Sequence, residues 1–509
     1  MIAKISTATT LGLNTQEIQI ELDISPSLPA VVMVGLPDKA VQESKERIRS
    51  SLKESGFEFP LGKLTINLAP ADLAKTGTGF DLPIALGILK LMGYIEKDLP
   101  EKTLFLGELS LEGNLRAVRG VLTICLWAKK NGFEKIFLPK QNQPEAALVK
   151  GLQIYALDKL GEVVDHLNGK NVLNPVVPIS ITDLITSPSD QLLPNDMAYI
   201  RGQQTAKRAL EIAASGGHNV IFIGAPGSGK TLLARSYPTI LPSLSEEEVL
   251  EVTQIYSIAG LLGDKNVILQ RPFRAPHHSA SHIALVGGGS KLRPGEISLA
   301  HRGVLFLDEF PEFSRETIEA LRQPLEDGFV TIARASGSLV YPARFYLLAA
   351  ANPTPSGFDL SDPAAADRPQ NRLAIARYQA KFSGPIMDRI DLQVTVDRPN
   401  QSELSSEALA ERSFVIQQRV QTARQIQMDR YKTENILTNA EMTLPLIKKY
   451  CQLEPKSQEF LDKAVEKFNL SPRGYMRILK VARTIADLAG SDKIEFTHLA
   501  ESLQYRGRM

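Results

Sequence analysis

The sequence predicts an α/β protein in which two successive α/β domains precede a helical bundle. Three observations predict it. Residues 1–168 alternate short apolar, β-like runs with amphipathic helices. Residues 196–400 repeat the alternation with continuously apolar strands, the pattern of a parallel sheet covered on both faces. After "VDRPNQSELSSE" (Val396–Glu407) the β-like runs stop, and helical periodicity continues to residue 509. Residues 169–195 hold a Pro, Ser and Asn-containing stretch that reads as a linker. The expected boundaries are therefore 1–168, 169–195, 196–400 and 401–509.

In the first part, "PAVVMVG" (Pro29–Gly35) reads as a buried strand, and "DKAVQESKERIRSSLKESG" (Asp38–Gly56) as a helix that Gly56 ends. "KLTINLAP" (Lys63–Pro70) is another strand and "FDLPIALGILKLMG" (Phe80–Gly93) a mostly buried helix. The strands of the second part are "HNVIFIG" (His218–Gly224), "GVLFLDE" (Gly303–Glu309) and "RFYLLAAAN" (Arg344–Asn352). Three of the later helices are "SSEALAERSFVIQQRVQTARQIQMDRY" (Ser405–Tyr431), "SQEFLDKAVEKFN" (Ser457–Asn469) and "RGYMRILKVARTIADLAG" (Arg473–Gly490).

A formal charge of +1 excludes a broadly basic polyanion binder and leaves room only for a local basic patch. The two cysteines, Cys125 and Cys451, form no CxxC pair, so packing is expected of them rather than a disulfide or structural zinc. The N-terminus lacks a basic start followed by an apolar block, and no apolar run approaches the roughly 20 residues that cross a bilayer. A cytoplasmic protein without a membrane partner is the expectation.

"GAPGSGKT" supplies Gly224, Ala225, Pro226, Gly227, Ser228, Gly229, Lys230 and Thr231 between a strand and a helix. Glycines there let backbone N–H groups turn inward around phosphates, at the positive end of a helix. Lys230 would reach the β and γ phosphates of ATP, and the Thr231 hydroxyl would bind Mg²⁺. Asp308, at the end of an apolar strand, is suited to hold Mg²⁺, and Glu309 to polarise the attacking water. Asn352, at the tip of a third apolar strand, can orient that water; as a turn former before Pro353 it would be merely structural. Arg389 lies between Asp388 and Asp391 and is a further candidate, with a simple surface ion pair as the alternative.

Together these residues resemble an AAA+ ATPase: a P-loop core followed by a C-terminal helical lid. "RAPHHSASHIALVGGG" (Arg274–Gly289), "PGEISLAHRGVLFLDE" (Pro294–Glu309), "QPLEDG" (Gln323–Gly328) and "SGPIMDRID" (Ser383–Asp391) resemble its magnesium-chelatase-like branch. Over nearly its full length the chain resembles the ComM (YifB-type) family of bacterial ATPases. The resemblance implies that Arg389 is an arginine finger acting on ATP held by a neighbouring subunit, which requires a ring, a homo-hexamer. It also implies that the helix of "SPRGYMRILKVAR" (Ser471–Arg483) carries the second sensor; Arg473 is the expected residue, and Arg477 lies one turn on.

His277, His278 and His282 crowd one short stretch. A metal site there is poorly supported, because Arg271–Arg302 contains a single acid, Glu296. Arg271, Arg274, Lys291 and Arg293 in the same stretch, with Arg334 and Arg344 in "EDGFVTIARASGSLVYPARF" (Glu326–Phe345), are the expected DNA contacts. Basic, glycine-flexible loops of this kind track a phosphate backbone without reading sequence. The alternative is that these histidines and arginines bind neighbouring subunits or nucleotide. Relatives of this kind carry cysteines suited to zinc after the Asn-Pro; here that segment has none, so zinc is not carried over.

"GELSLEGNLRAVRGV" (Gly107–Val121) and "KIFLPKQN" (Lys135–Asn142) resemble the proteolytic domain of Lon-type proteases. The resemblance sets Gly79 at the nucleophilic serine and Leu122 at the lysine, with Thr76 and Thr78 nearby. Neither Gly79 nor Leu122 can do Ser-Lys chemistry, so a Lon-like domain lacking the dyad is expected, a platform rather than a peptidase. The resemblance implies a ring-forming DNA motor: a helicase promoting branch migration of single-stranded or branched DNA during recombination in natural transformation, alongside other recombination proteins. The alternatives are a chelatase-type ATPase that remodels a protein partner and a non-catalytic DNA-binding scaffold.

Overall fold

The structure is a computed structural model that describes residues 2–73, 75, 77–185, 192–263, 266–289, 292–334, 337–354, 378, 386–398, 409–434, 436–468 and 470–506. Thr76, Lys291, the Arg334 side chain and most of the loop after Asn352 lie outside the described residues. The chain divides into two compact units, Met1–Ile185 with Ser245–Leu269, and Thr186–Leu244 with Gln270–Met509. Among the described residues no helix is long and apolar enough to cross a membrane.

In the first unit, strict alternation makes a sheet with one buried face. Ile18, Ile20 and Leu22 are fully buried in the strand Asn14–Ser25, while the residues between them turn outward. That strand lies antiparallel between Ile2–Leu11 and Lys63–Ala69, and Ala30–Val34 joins the far edge in parallel. The expectation of a buried strand at Pro29–Gly35 needs correcting. It is an edge strand: Val31 and Met33 pack on the core, whereas Val32 and Val34 are exposed. The helix Asp81–Leu91 is buried along most of its length, as its near-continuous apolar sequence predicts. A second, parallel sheet of Thr103–Phe105, Lys135–Pro139 and Gln153–Leu157 completes the unit.

Two segments sit differently from the sequence boundaries. The first half of the expected linker is tied to the first unit through bonds from the Val176 N–H to Ile154 O (2.7 Å) and from the Ile179 N–H to Ala147 O (2.8 Å). The helix Glu246–Ala259 also packs there, although its sequence falls inside 196–400. Its Ser257 hydroxyl donates to the buried Glu145 at 2.6 Å and accepts from the Gly120 N–H at 3.1 Å, while Val249, Val252 and Ile255 are buried.

The second unit is built on a five-stranded sheet: β1 (Val220–Ile223), β2 (Phe273–Arg274), β3 (Val304–Leu307), β4 (Tyr346–Ala351) and β5 (Leu392–Thr395). Its order is β2-β3-β4-β1-β5 and every pairing is parallel. The helices Gln204–Gly216, Ser413–Arg430 and Pro472–Leu488 share its core, with Leu210, Ile416, Val420, Val481 and Ile485 packed among residues of β1, β4 and β5. Two short hairpins leave this framework, Gly287–Gly288 with Arg293–Pro294 and Phe329–Arg334 with Gly337–Pro342. Because the strands run in parallel, Gly224, Asp308 and Asn352 emerge along one edge, where open α/β sheets bind ligands.

Candidate nucleotide-hydrolysis site

The loop after β1 keeps its backbone open. Gly227 (φ +78°) and Gly229 (φ +95°) occupy the left-handed region, and a Cβ on either would meet no atom within 4 Å. Gly224 is glycine for space: a Cβ there would lie 2.2 Å from Val396 O. Lys230, the first residue of the helix Lys230–Ser236, is buried, and its ammonium donates to Gly224 O (2.7 Å), Ala225 O (2.9 Å) and Asn352 Oδ1 (3.3 Å). Burial lowers its pKa, and nearby Asp308 opposes the shift. Among the described residues the buried Ser228 hydroxyl has no hydrogen-bond partner. An open glycine cradle, a buried ammonium and an unsatisfied hydroxyl fit a polyphosphate.

Thr231 and Asp308 come together independently: the Thr231 hydroxyl donates to Asp308 Oδ2 at 2.9 Å. A hydroxyl and a carboxylate beside a phosphate cradle suit Mg²⁺, which would neutralise charge on the phosphate oxygens. Glu309 follows β3 with φ +50°, its N–H donating to Asp308 Oδ1 at 2.9 Å. Its carboxylate Oε2 lies 2.9 Å from His278 Nδ1.

Arg389 is on the other edge of the sheet. It lies three residues before β5, which runs parallel to β1 with Leu392 opposite Val220, and its carbonyl accepts from the Asn219 side-chain amide at 3.0 Å. Lys230 lies past the far end of β1, roughly 10 Å of strand away. Arg473 and Arg477 accompany Arg389, not Lys230. Arg473 Nη1 is 3.8 Å from Asp388, and Arg477 donates to Met387 O (3.3 Å) and Ile390 O (3.2 Å). Arg389, Arg473, Arg477 and Lys480 line one cleft with Glu326 and Asp388. Burial lowers the Arg389 pKa, and its neighbours Arg322, Arg473 and Arg477 add to the shift. Glu326, 63 residues away in sequence, pairs with the Arg389 guanidinium, a contact that no local pattern reveals.

The expected DNA contacts separate into two groups. Arg271 donates to Pro242 O, Ser243 O and Arg302 O, and Arg274 makes a bidentate pair with Glu296 at 2.6 and 2.7 Å. Those two arginines brace the fold, with guanidinium donors engaged by protein acceptors. Arg293 and Arg344 are exposed, beside or within the two hairpins.

A family model described as magnesium chelatase, subunit ChlI, matches residues 196–404. Companion models for subunit ChlI of Mg-chelatase and for its C-terminal part match residues 20–142 and 410–506. The protein YifB of Escherichia coli is 42% identical over 503 residues, covering 99% of this chain and 96% of that protein. Competence protein ComM of Haemophilus influenzae is 43% identical over 506 residues, covering 99% and 97%. The chain belongs to the YifB/ComM family. Its AAA+ class is that of a magnesium-chelatase-like ATPase, which implies use of a nucleotide and Mg²⁺. A Lon protease of Lachnoclostridium phytofermentans is 25% identical over 161 residues, covering 29% of this chain and 20% of that protein. Within this YifB/ComM member, Leu122 is fully buried and its N–H donates to Glu145 at 3.2 Å.

Proposed function

We propose that this YifB/ComM chain is a ring-forming ATPase that uses hydrolysis to move DNA, acting as a branch-migration helicase when incoming single strands recombine in competent cells. The observation that carries it is the separation of the site into two halves. Lys230, Thr231, Asp308, Glu309 and Asn352 occupy one edge of the sheet, and Arg389 the other. An arginine turned away from its own phosphate cradle serves the cradle of a second copy, and a heterologous contact of that kind repeats until it closes a ring. In the proposed reaction Lys230 and the loop amides hold the phosphates, Thr231 and Asp308 hold Mg²⁺, Glu309 takes a proton from water and Asn352 orients that water. Arg389 and Arg473 of the adjacent copy meet the charge that develops on the transferred phosphoryl group. Arg293 and Arg344, with Lys291 and Arg334, contact the DNA backbone in this reading. Similarity to the competence protein ComM of Haemophilus influenzae supports the cellular setting.

The test is displacement of a labelled strand from forked and three-stranded junctions, with ATP turnover measured with and without DNA. Activity that DNA stimulates and that Lys230→Ala abolishes supports the proposal. Glu309→Gln should bind ATP and not hydrolyse it. A second reading, remodelling of a protein partner, is favoured by the three chelatase-subunit matches. Turnover indifferent to DNA, with no strand displaced, would select it.

A further inference from the structure

The histidine-rich stretch after β2 touches the hydrolytic residues at one point. We infer that His278 is a positioning residue for Glu309, holding the carboxylate in the orientation from which it accepts a proton from water. The inference rests on Glu309 being the base, as proposed above.

Strand register delivers the pair. Arg274 of β2 stands opposite Leu305 of β3, the last pair of that register. Four residues on from each lie His278 and Glu309, with Nδ1 and Oε2 at 2.9 Å. Both partners are braced from behind. The His278 ring lies against His277, with centroids 4.1 Å apart, and His277 Nδ1 is 2.8 Å from the Ser279 hydroxyl. The Glu309 backbone is fixed by its own bond to Asp308.

Without His278 the long Glu309 side chain would sample many rotamers over an exposed turn; more than half of its side-chain surface is open to solvent. An imidazole N–H donated to one carboxylate oxygen removes that freedom and leaves the other oxygen as acceptor. His278 keeps its proton throughout; the proton from water goes to Glu309. A pair this exposed contributes little to folding, so a purely structural role predicts almost no effect of removing it.

The experiment compares steady-state ATP hydrolysis by the full chain and its His278→Ala, His278→Asn, His278→Phe and Glu309→Gln variants, with binding of a non-hydrolysable ATP analogue measured for each. His278→Ala is expected to lower kcat about tenfold and to leave KM within about twofold. Asparagine places an amide N–H where Nδ1 was, so His278→Asn should recover most of the rate. Alanine at the parental rate, or asparagine as slow as alanine, would overturn the inference. If the alanine variant does not fold, asparagine against phenylalanine decides: equal rates overturn it, and a faster asparagine variant supports it. Turnover surviving in Glu309→Gln would remove the hydrolytic reading itself. An inactive Glu309→Gln beside a fully active His278→Ala removes this inference alone.

Discussion

Arg473 Nη1 and Asp388 Oδ2 face each other at 3.8 Å, beside Arg389 and on the sheet edge away from Lys230. Arg473, the proposed second sensor, and Arg389, the proposed finger, therefore share a cleft, and both are predicted to act on a neighbour's nucleotide. Mixing subunits tests this. Lys230→Ala has an inactive pocket and intact arginines; Arg389→Ala and Arg473→Ala have the reverse. Each arginine variant mixed equally with Lys230→Ala should regain turnover that neither partner has alone. With random assortment around a ring, about a quarter of the pockets are complete. If only the Arg389 mixture recovers, Arg473 serves its own subunit.

Arg477 should separate from Arg473 by what its loss does to folding. It is nearly buried, donates to two backbone carbonyls and lies 3.5 Å from Asp391, which His218 also contacts at 3.2 Å. Arg477→Ala strands those partners and should cost about 3 kcal/mol of unfolding free energy in urea. Arg473 is 60% exposed, and Arg473→Ala should change stability by less than about 0.5 kcal/mol. Equal losses would show that both arginines are structural.

The cis half of the site was legible because each of β1, β3 and β4 is an unbroken apolar run ending in a residue with chemistry: Gly224, Asp308 and Asn352. The rest depends on contacts that leave no local trace. β2 is only two residues long, too short for a pattern to reveal, so the approach of His278 to Glu309 was hidden behind what read as a basic loop. The family resemblance points to Arg473 as a sensor, yet its company with Arg389 comes from how the helix Pro472–Leu488 packs on the sheet core. The helix Glu246–Ala259 has an apolar side, but no sequence pattern says which unit that side will join.

Arg293 and Arg344 should carry the salt dependence of DNA binding. Each phosphate contact removed lowers the slope of log affinity against log salt by about 0.9 for duplex and 0.7 for single strands. Arg293→Ala and Arg344→Ala should each reduce the slope by about that amount, read by fluorescence anisotropy across a salt series. Arg274→Ala breaks the bidentate pair with Glu296 instead. It should lower stability and leave the slope where it was; a reduced slope would return Arg274 to the DNA contacts.

Glu145 makes the anchorage of the helix Glu246–Ala259 sensitive to pH. Burial raises its pKa, and hydrogen bonds from Ser257, Asn142 and the Leu122 N–H only partly offset the shift. The folded first unit therefore keeps the proton at pH values where the unfolded chain has released it. The stability linked to that proton is complete below the unfolded value, about 4.3, and is lost as pH rises through the folded one. Glu145→Gln stays neutral throughout, so its stability relative to the parent should improve as pH rises above the unfolded value and level off once the folded carboxyl is ionised. Trp127, the sole tryptophan, lies in the adjoining helix Val121–Lys130 and reports the unfolding of this unit by fluorescence. A difference between variant and parent that stays constant with pH would mean that Glu145 titrates alike in both states, and that the Ser257 contact holds a carboxylate rather than a carboxylic acid.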